Sequence, residues 1–343
     1  MTLSIGIRGL IGYCVFFSFF LLLCISCGGL GYRASAEEYY AIGMAYFDLG
    51  KYPEAEQWLN RAKVVDKTKV ASEYNLGRIA FETKQYTEAL GYFEKILARD
   101  PVNLIALKAV AYTYIKLGNI EKAEALYQQV LALVPESADD GYNYALVLYA
   151  MEKYDQSEQA LAAYPFALQE NKDVLLLFAR AQKAQQKPEA VDSYAQWFEA
   201  EGKTDDPLIH YEYASVLETS GFYARAIEAY KTILENVPQQ GSDAQRVSSS
   251  LVRFSLARSL LIADAENEEG ITELTAALRE GFKDMDALEA LMEEEGISED
   301  HKGTIRRLID EGPPVEEEAE VEDLDTEASE DLLGERPESE RKP

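Results

Sequence analysis

Cysteine is confined to the first 27 residues (Cys14, Cys24 and Cys27), and the 343-residue chain holds only two histidines, His210 and His301. Beyond Cys27 there is therefore no disulfide, no thiolate metal site and no cysteine nucleophile. The usual groups of metal and base chemistry are nearly absent. Positive charge is scarce as well: 33 Lys and Arg against 61 Asp and Glu give 33 − 61 = −28. A phosphate-binding surface takes its affinity from Lys and Arg, so nucleic acid is not expected as a partner. The same sign opposes an electrostatic footprint on anionic lipid. No GxxxxGK[ST] loop, HExxH, GxSxG or paired CxxC occurs. The carboxylates come in runs such as Glu293-Glu294-Glu295 and Glu316-Glu317-Glu318, which read as solvated faces rather than as buried acids with tuned pKa values. Almost no strand signal appears. What is present is a 47% apolar fraction, enough for a packed core. These absences point to a protein that holds other molecules, with no enzymatic activity and no cofactor.

The amino terminus is an address. Residues 9–32 carry no charge, Arg8 precedes them and Arg33 follows, and Cys14 to Leu23 is a dense apolar block. A basic start, an apolar segment and small residues afterwards make an export signal. Three fates are compatible with it. Cys24-Ile25-Ser26-Cys27-Gly28-Gly29 resembles a bacterial lipoprotein box, with Ser26 as the small residue before an acylated (palmitate-bearing) Cys27. Ala34-Ser35-Ala36 is an A-x-A site for ordinary cleavage. The 24 uncharged residues could also remain as a membrane span. Each puts the body outside the cytoplasm, and the first and third tether it to a membrane. Residues 1–26 are accordingly assigned to targeting and 27–35 to a short tether.

Internal periodicity sets the rest. Ala55, Ala89 and Ala123 lie 34 residues apart; Gly43, Gly77 and Ala111 precede each by twelve; Pro101 and Pro135 share the register. Six copies follow, at 36–69, 70–103, 104–137, 138–171, 172–206 (degenerate) and 207–240. Small residues let paired helices approach closely, and large residues fill the gaps between neighbours. Leu49-Gly50 and Leu117-Gly118 read as the ends of first helices, where Gly takes a left-handed cap. Residues 241–311 continue helical as a decayed seventh copy with a capping pair. From Pro313 to Pro343 there are 13 acidic against 3 basic residues and no aromatic, so 312–343 is expected to be a disordered, solvating tail.

These residues resemble the tetratricopeptide repeat, W-x2-L-G-x2-Y, then A-x3-F, then P. Leu76-Gly77, Ala89, Phe93 and Pro101 match it in the second copy, and Val110-Ala111, Tyr114, Ala123, Tyr127 and Pro135 in the third. The Trp slot holds Tyr39, Glu73, Leu107, Gly141 and His210 instead, and His210 is expected to pack between helices. The resemblance implies an all-α, right-handed superhelical solenoid whose first helices line a concave groove. It aims the residue after the Trp slot into that groove: Tyr40, Tyr74, Lys108, Tyr142 and Tyr211. Arg78, Tyr112 and Asn143 are expected to join them. Tyr gives large contact area at small rotamer cost. The Lys/Asn clamp with which some relatives grip a chaperone carboxylate is not here, since the first copy offers Tyr40 with Met44 and the third Ile105 with Ala109. The expectation is a non-catalytic, membrane-anchored scaffold on the extracytoplasmic side of a bacterial envelope, binding a protein or peptide. An envelope-assembly lipoprotein, like the repeat lipoprotein of the outer-membrane β-barrel assembly machinery, and a ligand-handling subunit of a transport or cell-wall enzyme system are the alternatives.

Overall fold

The computed structural model describes residues 35–201, 206–236 and 247–314. The targeting segment, Cys27, the tether up to residue 34 and the acidic tail from 315 lie outside the described residues. Among the described residues there are seventeen helices and no strand, and the fold is an all-α helical repeat solenoid. The chain divides into two compact units, one ending at Thr204 and the other beginning at Asp205.

In the first unit α1 (Ala36–Asp48) pairs with α2 (Tyr52–Ala62), α3 (Asp66–Glu82) with α4 (Tyr86–Leu97), and α5 (Leu104–Lys116) with α6 (Ile120–Leu133). Next come α7 (Ala138–Ala150) with α8 (Tyr154–Ala162), a short α9 (Pro165–Glu170), and α10 (Lys172–Ala184) with α11 (Ala190–Glu201). Several first helices start on a capping side chain. Ser35 and Glu38 form a reciprocal capping box on α1, Asn103 accepts from Ala106 N on α5, and Asn171 accepts from Asp173 N on α10.

Close approach within a hairpin depends on small residues. A Cβ on Gly77 would lie 2.5 Å from Phe93 Cε1, and one on Gly43 would meet the Leu59 side chain at 2.9 Å. Ala55, Ala89 and Ala123 are fully buried where helices touch. At Gly141 the Trp slot has no side chain, and the ring of Tyr164 fills it from the α8–α9 turn, its hydroxyl donating to Pro135 O at 2.9 Å. The bulk that the repeat usually places on its first helix comes here from a later element.

Each hairpin of the first unit turns through one residue in the left-handed region: Gly50, Lys84, Gly118, Glu152 and Gln186, spaced by 34, as does the first hairpin of the second unit through Gly221. The turns share one closing bond, for example Lys51 N to Tyr46 O and Gln85 N to Ala80 O, which is the six-to-one bond of a Schellman cap. The glycine signal marks only some of these turns, because Lys84 (φ 62°), Glu152 (φ 59°) and Gln186 (φ 56°) adopt the same conformation with a Cβ. A non-glycine residue there costs about 1–2 kcal/mol, partly offset by the larger unfolded-state entropy of Gly. Lys84→Gly should therefore raise stability by about 0.5–1 kcal/mol, read as a higher thermal midpoint by circular dichroism. A lower midpoint would mean that the Lys84 side chain makes a contact worth more than the strain.

The second unit comprises α12 (Pro207–Thr219), α13 (Tyr223–Asn236), α14 (Ser249–Ala263), α15 (Glu268–Arg279), α16 (Met285–Glu293) and α17 (Glu299–Glu311). Its core stacks Phe254 on Phe282, with centroids 4.2 Å apart, above the fully buried Leu261, Leu274 and Ile305. In α17 the buried residues His301, Ile305 and Leu308 follow helical spacing and leave an opposite polar face.

Candidate functional site

The first helices of the first unit carry seven of the eight groove residues expected from the sequence. Tyr40 lays its ring on the core of Leu59, Leu76 and Ile79. Its hydroxyl accepts from Asn75 Nδ2 at 3.0 Å. Buried Asn75 also donates to Ala71 O at 2.9 Å and accepts from Arg78 Nη1 at 3.0 Å. The Arg78 guanidinium lies 4.3 Å from the Phe47 ring centroid. Tyr40, Asn75, Arg78 and Phe47 are thus one network across two hairpins.

Tyr74 is half-buried, its ring 5.6 Å from that of Phe93. Lys108 Nζ stands 2.6 Å from Asp140 Oδ2, a carboxylate that is itself buried and accepts from Ser137 Oγ at 2.6 Å. Tyr142 is half-buried on the cluster of Ala145, Leu161 and Val174, and burial followed by the Asp173 charge raises its hydroxyl pKa. Asn143 is half-buried with no side-chain hydrogen bond among the described residues. Tyr112 differs from the other tyrosines. It is 46% exposed and stacks on Phe81, with centroids 5.2 Å apart.

Tyr211, the eighth, belongs to the second unit. Its hydroxyl lies 3.2 Å from Ser255 Oγ, its ring is 5.8 Å from Tyr230, and burial raises its pKa. The four tyrosines that share the position after the Trp slot are therefore all half-buried and packed, and Tyr40 and Tyr211 also tie up their hydroxyls in hydrogen bonds.

The exposed apolar groups lie elsewhere on the same helices. On α5, Ile105 is 60% exposed and shares a helical face with Ala109 and Tyr112. On α7, Leu146 is 38% exposed and shares a face with Tyr142 and Tyr149. The spacing of 31 that joins Phe47 to Arg78 and Phe81 to Tyr112 recurs between Ile115 and Leu146. That recurrence is the signal that would have selected Leu146 from sequence.

A separate cleft of about 310 Å³ opens beside α2, α3 and α4. Tyr52, Tyr92, Glu56 and Glu88 are among its walls. Neither Glu56 nor Glu88 has an ion-pair partner among the described residues. The Tyr92 hydroxyl is pushed up first by burial and then by the charges of Glu88, Glu56 and Glu73. The cleft is thus negative and aromatic.

The second unit holds a buried ionic cluster that sequence reasoning missed. Arg258 donates from Nε to Glu218 Oε1 at 2.8 Å and from Nη2 to Glu218 Oε2 at 2.7 Å. Tyr230 donates to the same carboxylate at 3.0 Å. Burial raises the Tyr230 pKa, and the hydrogen bond to Glu218 raises that of Arg258. Every member has a partner, which is how a structural cluster reads. Among the described residues no group of three or more His, Cys, Asp and Glu could hold a metal ion, and no helix is long and apolar enough to cross a membrane.

Tetratricopeptide repeat family models match residues 36–68, 80–139 and 175–241. The protein ycf37 of Guillardia theta is 33% identical over 104 residues, 29% of this chain, and the match spans only 58% of that relative's length. A lipoprotein of Treponema pallidum is 28% identical over 142 residues, covering 41% of this chain and 72% of the relative. A tetratricopeptide repeat protein from Parabacteroides merdae shares the fold with a TM-score of 0.51 at 20% identity, over 75% of this chain and 97% of that one.

Proposed function

Because the chain belongs to the tetratricopeptide repeat family, we propose that it is a non-catalytic scaffold for protein–protein interaction, held by a lipid on Cys27 at the extracytoplasmic side of a bacterial envelope. The observation that carries the scaffold reading is the set of half-exposed aromatic and aliphatic groups on the first helices, Ile105, Tyr112 and Leu146, beside the polar network of Tyr40, Asn75 and Arg78. Such a surface sets exposed apolar groups beside polar groups already held in place by hydrogen bonds. A protein or peptide laid along it would bury the exposed groups. A basic side chain of the same partner fits the negative cleft of Glu56, Glu88 and Tyr92.

Two observations support the lipid anchor over plain cleavage. One relative is itself named a lipoprotein. In addition, Ser35 caps α1 through its side chain, and cleavage after Ala36 would remove that cap, a loss of about 1 kcal/mol. Processing at Cys27 keeps it. The test is Cys27→Ser in the full chain. The wild type should take acyl label and enter the detergent phase, and the variant should do neither. A variant that remains in the detergent phase, with a wild type that takes no label, would assign the anchor to the uncleaved apolar segment instead.

A further inference from the structure

Three helix ends meet where the chain enters the first hairpin. The start of α1, the end of α2 and the start of α3 are brought together there: Lys67 Nζ pairs with Glu37 Oε1 at 2.9 Å, and the ring of Tyr39 lies 5.7 Å from that of Trp58. Thr68 fastens the turn by donating to Ala62 O at 2.6 Å, a buried bond. The chemistry of this end departs from that of the chain. Residues 61–70 carry Arg61, Lys63, Lys67 and Lys69 against Asp66, and with Glu37 and Glu38 at the start of α1 the end still keeps a positive balance, 4 − 3 = +1, in a protein of net charge −28. The same ten residues expose apolar groups, with Val64 80%, Val65 47% and Val70 43% accessible. Arg61 covers the Trp58 ring at 4.5 Å. Basic side chains on apolar stems, exposed valines and a tryptophan are the composition of a surface that rests in a lipid headgroup layer.

Position favours the same occupant. Seven residues lie between Cys27 and Ser35, and the eight Cα–Cα steps reach at most about 28 Å when fully extended. A lipid on Cys27 therefore keeps this end of the hairpin near the bilayer. We infer that the end of the first hairpin is a docking surface for an anionic bilayer, with Val64 and Val65 in the headgroup region and Arg61, Lys63 and Lys69 facing lipid phosphates. The inference rests on the anchor reading above. It also reverses locally what the total charge implies, because lipid attraction acts only within about a Debye length and so responds to the nearest charges. A second copy of the chain is a poor occupant, since a symmetric contact would set the basic cluster against itself.

Trp58 and Trp197 are the only two tryptophans, which makes Trp58 a local probe once Trp197 is replaced by Phe. The full acylated Trp197→Phe chain is floated with vesicles of phosphatidylglycerol and phosphatidylcholine whose acyl chains are brominated near the headgroup. The protein should float, and Trp58 emission should be quenched. In Lys63→Glu/Lys69→Glu, which leaves the Lys67–Glu37 pair in place, the protein should still float and melt at the parental temperature, while quenching falls to its level in pure phosphatidylcholine. Flotation without Trp58 quenching overturns the docking and leaves the anchor standing. Quenching that survives the charge reversal overturns the assignment to anionic lipid. Failure of the parent to float overturns the anchor, and the docking with it.

Discussion

Arg258→Met should destabilise the second unit by about 3–5 kcal/mol at neutral pH, the cost of removing one partner from a buried ion pair. Glu218 is 4% exposed and would keep only the Tyr230 hydroxyl as a partner. The reverse substitution, Glu218→Ala, should cost less, because the Arg258 side chain is 34% exposed and can turn its guanidinium toward water. The two losses should not add. Glu218→Gln/Arg258→Met removes both charges and should recover most of the stability, since an apolar or neutral replacement of a whole buried pair is close to neutral. Hydrogen exchange of the α12, α13 and α14 amides reads this locally, without assuming that the whole chain unfolds in one step. Equal exchange rates in Arg258→Met and the wild type would mean that the pair is open to water and contributes little.

The repeat was legible because its cause is periodic. Close helix approach needs a small residue at Gly43, Gly77 and Ala111 and a partner such as Leu59 or Phe93 sixteen residues later, and both recur every 34 residues. The left-handed turns at Lys84, Glu152 and Gln186 carry no glycine, so residue type gives no notice of them and only the 34-residue register from Gly50 and Gly118 places them. The other features that the sequence hid are not periodic, or arise from the fold as a whole. Tyr164 substitutes for a missing Trp-slot side chain from the α8–α9 turn. Glu218 and Arg258 are 40 residues apart, outside the repeat spacing. At the candidate site, repeat position names the face on which a side chain stands but not its depth. Tyr74 and Tyr112 both belong to first helices, yet the first packs on Phe93 while the second lies 46% open on Phe81. Depth depends on the neighbouring hairpin, which no single position encodes.

That difference in depth leads to a three-variant comparison that separates packing from recognition. Ala89 is fully buried in a cluster with Ala80, Phe93 and Val110. Ala89→Leu adds three heavy atoms where no space exists and should cost about 1–3 kcal/mol through overpacking. Partner capture should then fall only as far as the folded fraction falls. Tyr74→Ala removes a ring that is partly in the core. Complete burial would make the loss about 3–5 kcal/mol, and half-burial reduces it to roughly 1–2 kcal/mol on an area basis. Tyr112→Ala should leave the melting temperature nearly unchanged. Its exposed face becomes buried only in a complex, so as a central anchor it should weaken capture by about 2 kcal/mol, roughly 30-fold in Kd. The measurements are circular dichroism melts and a titration of each variant against a partner obtained by crosslinking in intact membranes. Retained capture in Tyr112→Ala at an unchanged melting temperature would remove the first-helix face of α5 from the interface. A melt as poor as that of Ala89→Leu would make the Tyr112–Phe81 stack a structural contact, and the recognition surface would then have to be sought at Ile105 and Leu146 alone.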